Sequence, residues 1–482
     1  MRALQRIPAA AWLCTLVALV NAACWSMISP PFQLPDEPSH FAYVQHLAET
    51  GHLPSSNGHT FPQAEEAALI YLLQQKVRFS PENQTISSPA QQRTLESWLA
   101  LPLSRSQPGD AGEAAAEPAL YYALETVPYL LGSGGTLLDS LALMRLLSVL
   151  FGGLTALFCF LFLREALPGA QWAWTVGGLG VALAPVLGMM SGAVNPDALV
   201  FAIASALFYC IARAFRRGFT RKLAIATGAL LAAGCLTKLI FLGLAPGTVL
   251  ALTVLATREA RASGRSAYGS LVLALLVAVI PLGLYLVDDA LSGQSTVKFL
   301  ASGAAFSGER HHKSLLGEIA YTWQLYLPRL PGMTPALHGI SGDRIWFEQI
   351  VGKYGWLDTT FPAWVVKAAL LPVAFVAGLL ARALAISRRA LWRRRTEVAT
   401  YALVAIGLLA IIGADDYRGQ TPGEYLQLRY LMPLVAIGGV GLALAARGAG
   451  RRWGPLVGAC IVLLVLAHDL FSQLLVISRY YG

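Results

Sequence analysis

The sequence is poor in charge. Of its 482 residues only 13% are Asp, Glu, Lys or Arg, against 56% hydrophobic. A soluble domain carries roughly 25% charged residues. The shortage excludes an ordinary water-soluble domain of this length and points to a chain whose solvent is mostly lipid. Cysteine is scarce as well. Cys14, Cys24, Cys159, Cys210, Cys235 and Cys460 each fall in or beside an apolar run. Without a CxxC pair or Cys/His ligand spacing, neither a disulfide framework nor a zinc site is indicated. GxSxG, HExxH, the phosphate-binding GxxxxGK[ST] and a strand-flanked GxGxxG are all missing, as are internal repeats. The low-complexity tract is confined to 109–116.

What is present is a series of apolar runs. They lie at about 9–29, 141–163, 172–191, 197–215, 268–288, 362–383, 398–414, 429–446 and 454–475. The first is longer than the roughly 7–15 residues of a cleaved signal core, so it reads as an uncleaved span. The stretch 223–256 is too long for one crossing and short for two, since a helical span takes about 17–25 residues. Charge resolves it. If 223–256 crosses twice, with two short helices meeting near Thr237 and Lys238, then 20 of the 36 basic residues gather in short loops on one side. If it crosses once, the cluster RRALWRRR faces outward, against the positive-inside rule. The net charge of +9 thus reads as basic cytoplasmic loops, not as a nucleic-acid surface.

The expectation is an all-α polytopic membrane domain over 1–482 with about eleven spans. The N-terminus is cytoplasmic, in an inner or plasma membrane. Large periplasmic or extracellular loops cover 30–139 and 290–361, and 30–139 includes amphipathic surface helices. His311 and His312 in the second loop, and His468 in the last span, read as solvated or packed histidines.

The polar residues with chemical potential cluster on the outer side. In PDEPSHFAYVQHLAETGHLP, Pro38 suits the first turn of a helix that Gly51 ends. That places Asp36 and Glu37 at the mouth of the first span. A carboxylate there can cap the helix or face the membrane boundary as a reacting group. Asp36 and His40 are one helical turn apart, a spacing compatible with a metal. Asn195-Pro196-Asp197 forms a turn before the fourth span. Lys238 is a lone cation between two short spans, either snorkelling or holding an anion. Trp356 and Asp358 precede another span. Arg429 opens the tenth, as an interface anchor or a bidentate phosphate ligand.

Five segments in order carry a resemblance: PDEPSHF at 35–41, EPALYYALETVPYLL at 117–131, NPDAL at 195–199, YGWLDTTFP at 354–362 and QLRYLMP at 427–433. Together they resemble the GT-C superfamily of membrane glycosyltransferases, which includes protein mannosyltransferases and the aminoarabinose transferase of lipid A. They are most similar to a bacterial branch known as a domain of unknown function. The resemblance implies a polyprenyl-phosphate sugar donor, inversion at the anomeric carbon, and Asp36 as catalytic base with Glu37 beside it. One position departs from the pattern: a His/Lys-Pro-Pro-like start is replaced by Ala116-Glu117-Pro118-Ala119, although Tyr121 and Tyr122 still match. Lys238 and Arg429 suit the donor phosphate. His40, Tyr121, Tyr122, Asn195, Asp197, Trp356 and Asp358 suit substrate contacts, with Trp356 and Tyr122 stacking on a sugar. Some superfamily members use a divalent cation (Mg or Mn) and others none. The expected partners are the lipid-linked sugar, membrane lipid and a glycan, lipid or protein acceptor, with no nucleic acid. The alternatives are a flippase or transporter, or a polymerase, of lipid-linked glycans.

Overall fold

The computed structural model of the chain describes residues 7–54, 77, 88–100, 111–169, 171–263, 268–291, 314–337, 342–418 and 426–481. His311 and His312 lie outside them. The described residues form an α-helical bundle. Its helices are α1 (Ala9–Ile28), α2 (Glu37–Thr50), α3 (Pro89–Leu99), α4 (Leu120–Gly132), α5 (Leu137–Ala166), α6 (Gln171–Ala182), α7 (Pro185–Ser191), α8 (Asp197–Arg217) and α9 (Arg221–Thr237). They continue as α10 (Ala245–Ser263), α11 (Tyr268–Leu291), α12 (Leu315–Tyr326), α13 (Gly342–Gly352), α14 (Ala363–Ile386), α15 (Arg388–Arg393), α16 (Arg395–Arg418), α17 (Val435–Gly448) and α18 (Gly450–Tyr481). One departure from an all-helical chain is a hairpin, with β1 (Lys353–Tyr354) antiparallel to β2 (Thr359–Thr360).

Among the described residues nine helical segments are long and apolar enough to cross a membrane. The pair α6–α7, bent by 55° where Pro185 starts the second helix, is a tenth if its two halves cross as one span. The eleventh expected crossing rests on α9, which has only 17 residues. The chain does divide at the expected place: α9 stops at Thr237, Lys238 is extended, and a 3-10 turn over Leu239–Leu244 leads into α10. Several elements outrun their apolar runs, α5, α16 and α18 among them. α5 extends from 137 to 166, its start fixed by a capping box in which Thr136 and Asp139 exchange bonds. α18 continues to Tyr481.

The core is built on α5, which packs against both α1 and α8. α17 packs between α6 and α14, and α9 pairs with α11. Small residues permit the close crossings expected of helices in lipid: a Cβ on Gly177 would lie 2.4 Å from the carbonyl oxygen of Gly439. The N-terminal ends of α5 and α8 stand at the same end of the bundle as α2, because Glu37 bonds both Arg145 and the amide of Val194. That end carries the site.

Candidate active site

Between α1 and α2 the chain makes a tight turn in which Phe32 (φ 62°) and Asp36 (φ 60°) adopt left-handed backbone conformations. Such residues cost energy and need outside support. Glu37 and Arg145 supply it. Glu37 is fully buried. Its Oε1 accepts from Arg145 Nε at 2.8 Å and from the Val194 amide at 3.1 Å. Its Oε2 accepts from Arg145 Nη2 at 2.6 Å and from the Phe32 amide at 2.9 Å. Arg145 then donates to the carbonyls of Ser26, Ser29 and Pro30 at 2.8, 2.9 and 3.1 Å. One buried ion pair therefore ties the end of α1, the turn and the start of α8 to α5.

Asp36, its neighbour in sequence, has different surroundings. It occupies the N-cap position of α2, yet its side chain makes no capping bond. It turns away to pair with Arg429. Capping is thus not its role. Its side chain is 40% exposed, whereas that of Arg429 is 4% exposed.

The Asn195-Pro196-Asp197 turn completes the cluster. Asn195 Nδ2 donates to the Pro35 carbonyl at 3.1 Å, and its Oδ1 accepts the Asp197 amide at 3.0 Å. The Asp197 carboxylate is left for other partners: Lys238 Nζ at 2.7 Å and Arg429 Nε at 3.6 Å. Lys238 is brought here by the extended break after α9. The Tyr430 ring flanks both cations, 5.5 Å from Lys238 Nζ and 5.2 Å from the Arg429 guanidinium carbon. The result is an alternating row, Asp36–Arg429–Asp197–Lys238, drawn from four separate segments. Alternation is what makes burial of the inner three tolerable, because an uncompensated buried charge is strongly destabilising. Two polar atoms of Arg429, Nε and Nη1, are buried without a hydrogen-bond partner among the described residues.

Electrostatics follow from this row. Burial works to raise the Asp36 carboxyl, but Arg429, His40 and Lys238 hold it down to about 2. Burial pushes His40 down to about 3, so its ring is neutral at ordinary pH. Glu117 is raised by burial despite the opposing pull of Lys238. It accepts from the Leu239 amide at 3.5 Å.

The other expected site residues fall into two groups. His40 Nδ1 lies 2.9 Å from the Tyr122 hydroxyl. Tyr122 is already stacked on Tyr43, with centroids 3.6 Å apart, and Tyr121 bonds Ser148 at 2.8 Å. Both tyrosines are fully buried, so the Tyr122 ring expected to meet a sugar is covered by protein. Trp356 and Asp358 belong to the hairpin, which packs on α1 and α18. The Tyr354 hydroxyl lies 2.6 Å from Ser472 Oγ, and its ring 5.4 Å from that of Trp25. At the left-handed Gly355, a Cβ would lie 3.0 Å from Asp358 and 3.2 Å from Tyr480. His468 is packed, its Nε2 2.6 Å from the Val351 carbonyl.

Arg145, Glu117 and Tyr430 were not anticipated. Arg145 had a legible signal, a single cation inside an apolar run, which in a membrane helix demands a partner. Among the described residues no three His, Cys, Asp or Glu side chains group as metal ligands. The two carboxylates that approach each other, Asp36 and Asp197, already face Arg429 and Lys238.

The bundle is that of a polytopic membrane protein, and its fold is GT-C-like by likeness to solved structures. ArnT from Cupriavidus metallidurans, solved bound to undecaprenyl phosphate, matches with TM-score 0.51 and 17% identity over 95% of this chain and 64% of ArnT. The chain thus spans less than two thirds of ArnT's length. AglB, the archaeal oligosaccharyltransferase from Archaeoglobus fulgidus in complex with an inhibitory peptide and a dolichol-phosphate, matches with TM-score 0.48 and 11% identity, over 98% of this chain and 56% of AglB. The S. cerevisiae protein O-mannosyltransferase Pmt1-Pmt2, bound to its sugar donor, matches with TM-score 0.36 and 16% identity, over 60% of this chain and 34% of that one. All three are GT-C glycosyltransferases. At these identities the likeness is one of fold. No curated protein sequence matches the chain. The chain belongs to the family described as "Predicted membrane protein (DUF2142)", which matches residues 19–437.

Proposed function

We propose that this protein is an inverting glycosyltransferase. It moves a sugar from a polyprenyl-phosphate donor to a cell-envelope acceptor at the outer face of an inner or plasma membrane. The observation that carries this reading is the pairing of a partly exposed carboxylate, Asp36, with a buried guanidinium whose Nε and Nη1 lack hydrogen-bond partners among the described residues. Such a guanidinium suits bidentate recognition of a phosphate.

In a single displacement the acceptor oxygen forms the bond to the anomeric carbon as its proton passes to Asp36. The bond from that carbon to the phosphate oxygen breaks, and polyprenyl phosphate leaves with the electron pair. Charge develops on the leaving phosphate, where Arg429 and Lys238 stabilise it. Asp36 paired with Arg429 is a weak base. A donor phosphate that takes over Arg429 restores the basicity of Asp36, coupling donor binding to activation. Asp197 holds both cations in place. Glu37 positions the turn and does not touch substrate, since both of its oxygens are committed. The residues present suit a phosphate better than a divalent cation, because both carboxylates of the row already face fixed positive charge. Transfer should therefore persist in EDTA.

The test is transfer from polyprenyl-phosphate sugars by the purified protein, with membrane extract as acceptor. Loss of roughly 10²–10⁴-fold in Asp36→Asn, folded as judged by its thermal midpoint, is expected of a base. Undiminished transfer by Asp36→Asn would remove Asp36 from the mechanism.

A further inference from the structure

The other end of the bundle carries a second concentration of cations. The 21 residues of α8, at about 1.5 Å each, separate it from Asp197 by roughly 30 Å. There Glu165, near the end of α5, has a side chain only 1% exposed. It lies 2.7 Å from Arg217, 3.6 Å from Arg216 and 3.8 Å from Arg213. Glu397 on α16 accepts from Arg394 Nε and Nη2 at 2.9 and 2.7 Å and from Tyr401 at 3.0 Å. Arg394 also donates to the Ala166 carbonyl at 2.5 Å, which ties the start of α16 to the end of α5.

A cleft of about 610 Å³ opens here, lined by five arginines, Arg216, Arg258, Arg393, Arg394 and Arg395, with Glu165 and Glu397 as its carboxylates. Those two are already committed to Arg217 and Arg394. Arg258, Arg393 and Arg395 are exposed and have no carboxylate partner among the described residues. The Arg258 guanidinium lies 5.7 Å from the Phe215 ring centre, and that of Arg395 lies 5.3 Å from Trp392. Trp392 is itself 70% exposed, as suits a residue at the depth of lipid headgroups.

We propose that this cleft binds a phosphate group, separately from the site around Asp36. Three cations without carboxylates converge on a cavity with an apolar wall. Arginine's planar fork matches phosphate oxygens in pairs. A phospholipid headgroup entering from the bilayer and a phosphate from solution share this chemistry.

The experiment uses the full chain in detergent micelles, with lipid retention read by native mass spectrometry and folding by thermal midpoint. Wild type is expected to retain phosphatidylglycerol over phosphatidylcholine. The Arg258→Gln, Arg393→Gln, Arg395→Gln triple should weaken that retention by about 10- to 100-fold, given the usual gain from each basic residue near anionic lipid. A charge-matched triple at exposed basic positions outside the cleft, Arg388→Gln, Arg451→Gln, Arg452→Gln, should keep it. Equal losses in both triples would mean that general surface charge is responsible and would overturn the site. Inorganic phosphate titrated into lipid-free micelles separates the sources. Binding that the cleft triple abolishes assigns the soluble anion, and phosphatidylglycerol retention without phosphate binding assigns the headgroup. If neither ligand binds, the proposal is overturned. If the triple does not fold, Arg258→Gln alone should weaken retention several-fold, and unchanged retention refutes the site equally.

Discussion

The two ends of α8 handle positive charge in opposite ways. At its start, Lys238 and Arg429 are buried, and each is matched to a carboxylate in an alternating row. At its end, the side chains of Arg213, Arg216 and Arg217 are 34%, 42% and 51% exposed around the single carboxylate of Glu165. Burial forces stoichiometric pairing, because an unpaired charge out of water is costly. Partial exposure removes that constraint, so one buried acid can organise several arginines whose remaining charge is met by water. The first end is fitted to hold one charged group in one geometry. The second is fitted to attract.

The sharpest way to break this comparison is to delete a carboxylate where water cannot compensate. Glu37→Ala leaves Arg145 buried without its partner, and such a deletion costs about 3–5 kcal/mol. The full chain in micelles should unfold at a markedly lower temperature and lose protease resistance. Glu37→Gln, which keeps an acceptor for Arg145, should fall between. A wild-type midpoint in Glu37→Ala would mean that the pair does not anchor the turn, and the special status of Asp36 beside it would lose its support.

The contrast also explains what could be read from the sequence. The break at Lys238 and the surface helix ended by Gly51 were legible in the residues themselves, whereas the grouping of Asp36, Asp197, Lys238 and Arg429 was implied by the family resemblance. Periodicity, a glycine after a helix and lone cations at span ends are local signals. The different fates of Asp36 and Glu37 were not legible. They depend on Arg145, more than 100 residues away, and on a left-handed backbone at Asp36 that points adjacent side chains in different directions. Tyr122 matched a motif, but whether an aromatic ring meets substrate or another ring is decided by its neighbour, here Tyr43. The hairpin carrying Trp356 and Asp358 was invisible because two-residue strands leave no periodicity.

A middle-sized effect should come from His40. Its value is lowered from the ordinary 6.5 to about 3. The unfolded chain takes up a proton near pH 6.5 while the folded one resists until about pH 3. The stability contributed by keeping the ring neutral is fully present above 6.5 and is lost progressively as pH falls toward 3. The wild-type thermal midpoint should drop across that window, and His40→Gln should flatten the drop. Parallel slopes in the two proteins would show that His40 takes up its proton as readily when folded as when unfolded.

The smallest effect is expected at the far end, and its smallness is the point. Glu165→Gln removes a carboxylate that lies within 4.0 Å of Arg164, Arg213, Arg216 and Arg217, so a count of ion pairs among the described residues would rank it as the most damaging single change. The structure ranks it low. The side chains of Arg213, Arg216 and Arg217 can turn to water, Arg216 keeps its bonds to the carbonyls of Arg164 and Glu165, and glutamine still offers an acceptor. Pairs between exposed groups are worth about 0–1 kcal/mol; here Glu165 is buried but its arginines can rehydrate, so the thermal midpoint should fall by less than in Glu37→Ala. A loss as large as that of Glu37→Ala would show that Glu165 organises its arginines as rigidly as Glu37 organises Arg145. The two ends would then differ in how much surplus charge they carry and not in how they are built.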